Sequence, residues 1–239
     1  MRKLVIIPTY NERENIEAMV AKVFSLEGNF SLLVVDDGSP DGTAEIVRRL
    51  QTTHPERLFL IEREGKLGLG TAYLAGFEWA LKEGYDVIYE MDCDFSHDPD
   101  DLLRLTSAIE EGADVAVGSR YVSGVNVVNW PMRRLLLSFF ASRYVKCITR
   151  MPVRDATAGF VAYRADVLRT IDFAKVKMKG YGFQIEMKYT AWKLGFKIKE
   201  VSIIFRDRTL GTSKMSSGIL GEAFWGVLGL RFRRFKKRK

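Results

Sequence analysis

Five short runs in the first half of the chain have an unbroken apolar centre, and each is closed by a polar turn. They fall at residues 4–7, 32–35, 58–61, 86–90 and 115–118. Apolar continuity without alternation predicts strands buried on both faces, which is the pattern of parallel sheets. Between them lie stretches with helical spacing. Residues 11–25 place Ile16, Met19, Val20 and Val23 on one side; 43–50 form a second such segment, and a third runs to about residue 81. A further helix starts at Asp98-Pro99, with proline in its first turn. The β-α-β-α alternation predicts an α/β, Rossmann-like fold: a mostly parallel sheet with helices on both faces.

The second half is less regular. Residues 132–149 read as an apolar helix studded with Arg and Lys, 159–163 as a strand, 183–194 as a helix and 197–205 as a strand. No linker composition interrupts the chain. We therefore expect one catalytic domain over residues 1–217, with a nucleotide-sugar half at about 1–121 and an acceptor half at 122–217, followed by an interfacial helix and basic tail at 218–239.

Charge is distributed unevenly. The chain carries 37 Lys+Arg against 30 Asp+Glu, a net +7, yet seven of the cations lie in the last nine residues. The remainder is balanced, which argues against a broad nucleic-acid-binding face. The tail is either a solvated terminus or a contact for an anionic surface such as acidic lipid. Residues 218–230 combine Ile219, Leu220, Phe224, Trp225 and Leu228 but are broken by Glu222 and four glycines. That falls short of the roughly 20 apolar residues of a spanning helix, so no transmembrane segment is expected. This segment, and the helix holding Leu135, Leu136, Leu137, Phe139 and Phe140 beside Arg143 and Lys146, suit either a membrane interface or packing on the core. Cys93 and Cys147 have neither disulfide-framework nor zinc-site spacing, and the reducing cytosol is the default compartment.

Ligands of open parallel sheets collect at the carboxyl ends of strands. Here four ends converge: Pro8-Thr9-Tyr10-Asn11-Glu12, Asp36-Asp37, Asp92-Cys93-Asp94 and Ser119-Arg120-Tyr121. So many carboxylates would repel one another without intervening cations. Asp92-x-Asp94 is the sharpest feature. An Asp-rich turn is common by itself, but behind an apolar strand and opposite other polar strand ends its hard oxygens suit Mg²⁺ or Mn²⁺ bridging a diphosphate. His97 reads as a residue packing on this turn rather than as a ligand. The glycines at 65, 68 and 70 fail the dinucleotide-binding spacing, because Tyr73 stands where a third glycine would fall. Arg134 and Ser138, one helical turn apart, form either a phosphate cradle or a basic helix flank. Arg208 and Lys214 bracket Gly211-Thr212-Ser213, either a loop able to close over a phosphorylated ligand or a plain surface loop.

Val5-Ile6-Ile7-Pro8-Thr9-Tyr10-Asn11-Glu12, the 36–43 turn and Met91-Asp92-Cys93-Asp94-Phe95-Ser96-His97 resemble family 2 glycosyltransferases. Gly118-Ser119-Arg120-Tyr121, Trp130-Pro131 with Arg134 and Ser138, and Phe205-x-x-Arg208-x-x-Gly211-x-Ser213-Lys214 narrow the resemblance to the dolichol-phosphate (polyprenol-phosphate) mannosyltransferases. The resemblance implies a GT-A fold, GDP-mannose as donor and a polyprenyl phosphate as acceptor. It implies that Pro8, Tyr10, Glu12, Val35 and Asp37 hold the nucleotide, with Cys93 in the same site, and that Asp92, Asp94 and Ser96 surround the metal and sugar. Arg120, Arg208 and Lys214 would hold donor phosphates or the sugar, and Arg134 with Ser138 the lipid phosphate; Asp92, Asp94 and Arg208 would be catalytic. Some relatives carry Gln where Ser96 stands, and some carry carboxy-terminal transmembrane helices. The implied location is peripheral, on the cytoplasmic face of a membrane. A phosphate acceptor arrives ionised, so no general base is expected. Rival readings are a UDP-glucose-dependent enzyme on the same acceptor and a non-catalytic nucleotide-binding module.

Overall fold

The computed structural model describes residues 1–178, 180–207, 218–233 and 235. The five apolar runs form β1 (Lys3–Thr9), β2 (Phe30–Asp36), β3 (Leu58–Glu62), β4 (Val87–Glu90) and β5 (Val115–Ser119). They alternate with α1 (Ile16–Ser25), α2 (Thr43–Gln51), α3 (Leu69–Lys82) and α4 (Asp101–Glu110). The rest comprises β6 (Val127–Val128), α5 (Met132–Thr149), β7 (Val161–Arg164), α6 (Ala165–Thr170), α7 (Gly180–Lys193), β8 (Ile198–Ser202), β9 (Phe205–Arg206) and α8 (Gly218–Phe232).

A seven-stranded sheet runs in the order β3-β2-β1-β4-β7-β5-β8. β1 pairs in parallel with β2 and β4, as do β2 with β3 and β5 with β8, whereas β7 is antiparallel to both β4 and β5. β1 shows why the runs are continuously apolar. Leu4 and Ile6 face one core with Tyr73, Phe77, Phe183 and Met187, while Val5 and Ile7 face the other with Met19, Val20, Val47 and Leu105. Helices α3, α6 and α7 cover the first face; α1, α2 and α4 cover the second.

The chain winds outward from β1 to β3 and then returns across β1 to β4. The carboxyl ends of β1 and β4 therefore diverge around a crevice, the place where such sheets bind ligands. α3 crosses β1 so closely that a Cβ on Gly76 would lie 2.8 Å from Ile6 Cγ2.

Five expectations need correction, one being the helix expected at 183–194, which spans Gly180–Lys193. The helix expected from residue 11 begins at Ile16, because Asn11 has a left-handed φ of 58° and the Asn15 and Ile16 amides close a turn on the Glu12 carbonyl. The helix expected from Asp98 starts at Asp101, since the Asp101 amide first closes a turn on the Asp98 carbonyl. The strand expected at 159–163 shifts to Val161–Arg164. The single strand expected over 197–205 is two: β8 ends the large sheet, and β9 pairs with β6 in a separate two-stranded sheet.

Gly76→Val would drive a branched side chain into Ile6. Overpacking of this kind costs about 2 kcal/mol, so chemical denaturation should show a lower midpoint at an unchanged slope. A midpoint equal to wild type would mean α3 is free to move away from β1.

Candidate active site

The loops behind β1, β2 and β3 are tied into one unit. Asp36 accepts Thr9 Oγ1 at 2.7 Å, the Ser39 amide at 2.8 Å and Ser39 Oγ at 2.6 Å. The Asp37 amide donates to the Thr9 carbonyl. The Asp37 carboxylate is buried and takes the Arg63 Nε at 2.6 Å, while Arg63 Nη1 donates to Thr71 Oγ1 at 2.8 Å. The Lys66 ammonium lies 5.0 Å from the centre of the Tyr10 ring. The Glu12 amide donates to Thr43 Oγ1, and Glu12 Oε2 accepts Asn15 Nδ2, each at 3.0 Å. Pro8, Tyr10, Glu12, Val35 and Asp37 thus gather at adjoining ends of β1 and β2. The Val35 side chain is wholly inside the core.

Behind β4 the chain turns sharply. Phe95 holds a φ of 57°, rare for a bulky residue and found at functional turns. It brings the Ser96 amide to 3.1 Å from Asp94 Oδ1. Cys93 is buried with Met91 in the core. The Asp92 amide donates to His97 Nδ1 at 3.3 Å. His97 is buried, and its ring stacks on Phe160 at 4.9 Å. Burial lowers its pKa to about 4, so the imidazole is neutral with its proton on Nε2. Asp92 is the open member of the acidic pair, with 40% of its side chain exposed.

The third group comes from β5 and α5. Arg120 is locked by Asp155, through Nε at 2.7 Å, Nη2 at 2.6 Å and its backbone amide at 2.9 Å. Burial alone would raise the Asp155 carboxyl, but Arg120 holds it below its ordinary range. Arg134 lies 4.3 Å over the Trp130 ring, and its Nη1 donates to Asp207 at 2.7 Å. Ser138 accepts the Tyr121 hydroxyl at 2.8 Å.

A cavity of about 160 Å³ joins these elements: Asp92 and Ser96 line one part, Arg120 another, and Arg134 with Ser138 a third. Pro8, Tyr10, Glu12, Val35 and Asp37 sit outside it, on the β1–β2 side. Arg208 and Lys214, with the loop between them, lie outside the described residues. Several residues escaped the sequence reading. Arg63 stands directly behind the third apolar run, a strand end that was passed over. Glu90, at the end of β4, and Lys188, on α7, are both wholly buried. Burial raises the Glu90 pKa to about 8 and lowers that of Lys188 to about 8. Lys188 Nζ donates to the Ala158 carbonyl at 2.6 Å, on the cavity wall. Asp155 carried no readable signal.

The donor set fits a hard divalent cation. Among the described residues no group of three His, Cys, Asp or Glu side chains could hold a metal. Two carboxylates from one turn would therefore need oxygens from a bound diphosphate to complete a coordination shell, as Mg²⁺ sites commonly do.

A mostly parallel sheet with an acidic pair at its switch point, and guanidinium groups beside the same crevice, has the architecture of a GT-A-type glycosyltransferase. The chain belongs to glycosyl transferase family 2, whose model matches residues 4–172, and it is a glycosyltransferase. It is 49% identical over 233 residues to the polyprenol monophosphomannose synthase of Mycolicibacterium smegmatis, covering 95% of this chain and 88% of the relative. It is 45% identical over 242 residues to the undecaprenyl-phosphate mannosyltransferase of Micrococcus luteus, covering 98% and 99%. Among solved structures, glucosyl-3-phosphoglycerate synthase from Mycobacterium tuberculosis, in complex with Mn²⁺, UDP and phosphoglyceric acid, matches with a TM-score of 0.73 at 18% identity, covering 98% of this chain and 80% of that one. A mannosyltransferase from Pyrobaculum calidifontis, in complex with GDP-Man and Mn²⁺, matches with a TM-score of 0.59 at 15% identity, covering 96% and 72%. These two likenesses support the fold alone.

Asp155→Ala would leave the Arg120 guanidinium buried without its counter-ion. Breaking one side of a buried pair costs about 3–5 kcal/mol, so denaturant titration should show a loss of that size. A loss below about 1 kcal/mol would mean that Arg120 relaxes to solvent.

Proposed function

We infer that this glycosyltransferase moves mannose from GDP-mannose to a polyprenyl (dolichyl-type) phosphate, with inversion, giving polyprenyl-phosphate mannose. One observation carries the reading: a single cavity has Asp92 and Ser96 at one side and Arg134 with Ser138 at another. A donor and an anionic acceptor can therefore be held face to face. The identities of 49% and 45% to enzymes named for polyprenyl-phosphate mannose transfer support it.

Asp92 and Asp94 would hold Mg²⁺ or Mn²⁺, which when bound supplies positive charge to the departing diphosphate. Pro8, Tyr10, Glu12, Val35 and Asp37 would hold the nucleotide, with Asp37 fixed by Arg63. Arg208 and Lys214 would add charge at the diphosphate. Arg134, which Asp207 holds in place, and Ser138 would bind the acceptor phosphate. A phosphate monoester has a second pKa of about 6, so its oxygen is already a nucleophile and needs no base. His97 fits this picture: with a pKa near 4 and its Nδ1 bonded to the Asp92 amide, it is a poor proton acceptor. Attack opposite the leaving group inverts the anomeric carbon.

The acceptor's chain implies a lipid surface. Among the described residues no helix is long and apolar enough to cross a membrane. Met132, Leu136, Leu137 and Phe140 of α5 and Phe224, Trp225 and Phe232 of α8 are nonetheless exposed. The two helices are joined where Tyr144 stacks on Phe224 at 4.8 Å. With exposed Arg133, Arg143, Lys146 and Arg231 beside them, they form a surface suited to an anionic interface, peripheral on a cytoplasmic leaflet.

Two experiments test this. Purified protein with radiolabelled GDP-mannose, polyprenyl phosphate and Mg²⁺ or Mn²⁺ should yield organic-extractable label that EDTA removes. Asp94→Ala should reduce it by at least 100-fold, and Arg134→Ala should raise the KM for lipid phosphate about tenfold, the loss of one charge-assisted contact. Turnover in excess EDTA, or better labelling from UDP-glucose, would refute the metal or the donor assignment. Separately, Phe140→Ala combined with Trp225→Ala should cut flotation with anionic liposomes several-fold; unchanged recovery would remove these helices from any membrane role.

A further inference from the structure

Among the described residues, four side-chain atoms lining the cavity make no hydrogen bond: Tyr73 Oη, Ser96 Oγ, Trp130 Nε1 and Gln184 Nε2. Tyr73 is 0%, Gln184 2% and Ser96 3% exposed, so solvent at the outer surface does not satisfy them. A buried polar group left unpaired is costly and uncommon, and four around one cavity mark a place built for a polar guest. The cavity, at about 160 Å³, far exceeds the roughly 10–15 Å³ that a single water requires.

The two ends of the cavity differ in charge. Trp130 stands at the cationic end, with Arg134 4.3 Å and Arg120 5.3 Å from its ring centre. Tyr73 stands at the acidic end, close enough to Asp92, Glu90 and Asp94 for their charges to act on its hydroxyl. The Glu90 carboxylate oxygens are themselves unpaired, and the Gln184 amide faces them without reaching normal hydrogen-bond geometry. Away from the Asp92–Asp94 turn, these unpaired groups call for hydrogen-bond donors and acceptors rather than a further charge. An uncharged polyol matches them, because each hydroxyl can donate to a carboxylate and accept from Tyr73 or Gln184.

The placement of these two groups is set by the backbone. Gly70 on α3 meets Phe183 on α7 so closely that a Cβ would lie 2.9 Å from the ring. The Tyr73 ring stacks on Phe183 at 6.0 Å, and Gln184 follows Phe183 directly. Gln184 Oε1 accepts Lys188 Nζ at 3.3 Å, which orients the amide with its nitrogen away from Lys188.

We propose that Tyr73 and Gln184 read the hydroxyl groups of the transferred sugar, and so decide which hexose the enzyme accepts. The proposal rests on the sugar-transfer reading above and adds the residues that make it selective. A site that hydrogen-bonds a substrate hydroxyl rejects analogues lacking it far more strongly than an apolar pocket can.

The test uses the full chain with Tyr73→Phe and Gln184→Met. The Tyr73 hydroxyl bonds nothing among the described residues, so Tyr73→Phe should fold with wild-type thermal stability or better. Its kcat/KM for GDP-mannose should fall at least tenfold, and its preference over GDP-2-deoxymannose and over GDP-glucose should shrink at least tenfold. The Kd for GDP, which lacks the sugar, should stay within twofold. Gln184→Met should shift the same preferences. Wild-type discrimination in both variants, alongside active wild-type mannose transfer, would overturn this assignment and leave the transfer reading standing. An equal weakening of GDP would overturn it too, as general distortion. A wild-type enzyme inactive with every sugar nucleotide would overturn both.

Discussion

Carboxylates crowded at neighbouring strand ends cannot share a low-dielectric space unless each is neutralised or hydrogen-bonded, and this constraint organises the molecule. The protein meets it one acid at a time. Asp36 is spent on the Thr9 and Ser39 hydroxyls, Asp37 on Arg63, and Asp155 on Arg120. Glu90, with no such bond, is pushed toward its neutral form, and the facing Lys188 moderates that shift. These internal pairings confine the acidity offered to ligands largely to the Asp92–Asp94 turn, of which Asp92 is the more open.

The same economy governs the cations. Arg63 stands behind β3 and Arg120 behind β5, and both are anchored by buried acids. Such residues keep their geometry in the absence of substrate, so little reorganisation is needed when charge develops on a leaving group. Arg134 is held more loosely, half-buried against Trp130 and Asp207. On the proposed reading, that contrast would give a rigid donor side and a more adaptable acceptor side.

The sheet was legible because buried parallel strands leave apolar runs, and α5 matched its expected residues 132–149 because no glycine or proline interrupts them over five turns. The acidic turn was legible because it directly follows such a run. Positions set by long-range contacts were not. The antiparallel orientation of β7 cannot be read from its four residues, whose apolar character suits either direction. Asp155 lies in an irregular segment and acquires its role only from Arg120, 35 residues earlier. Tyr73 and Gln184 looked like ordinary positions on helix faces. Only the close approach of α3 to α7 at Gly70 turns them toward one cavity.

α5 links chemistry to location. Arg134, Leu137, Ser138 and Ala141 line the cavity, while Met132, Leu136 and Phe140 of the same helix are exposed. An amphiphile whose phosphate reaches Arg134 can therefore keep its hydrocarbon along the outer side of the helix without passing through the core. On the proposed reading, this spares the protein an enclosed tunnel for the prenyl chain. It also explains why a helix so rich in leucine and phenylalanine leaves much of that surface uncovered. Burying it against the core would raise stability by about 25 cal/mol for each Å² withdrawn from water, and the fold forgoes that gain along the face an incoming lipid would follow.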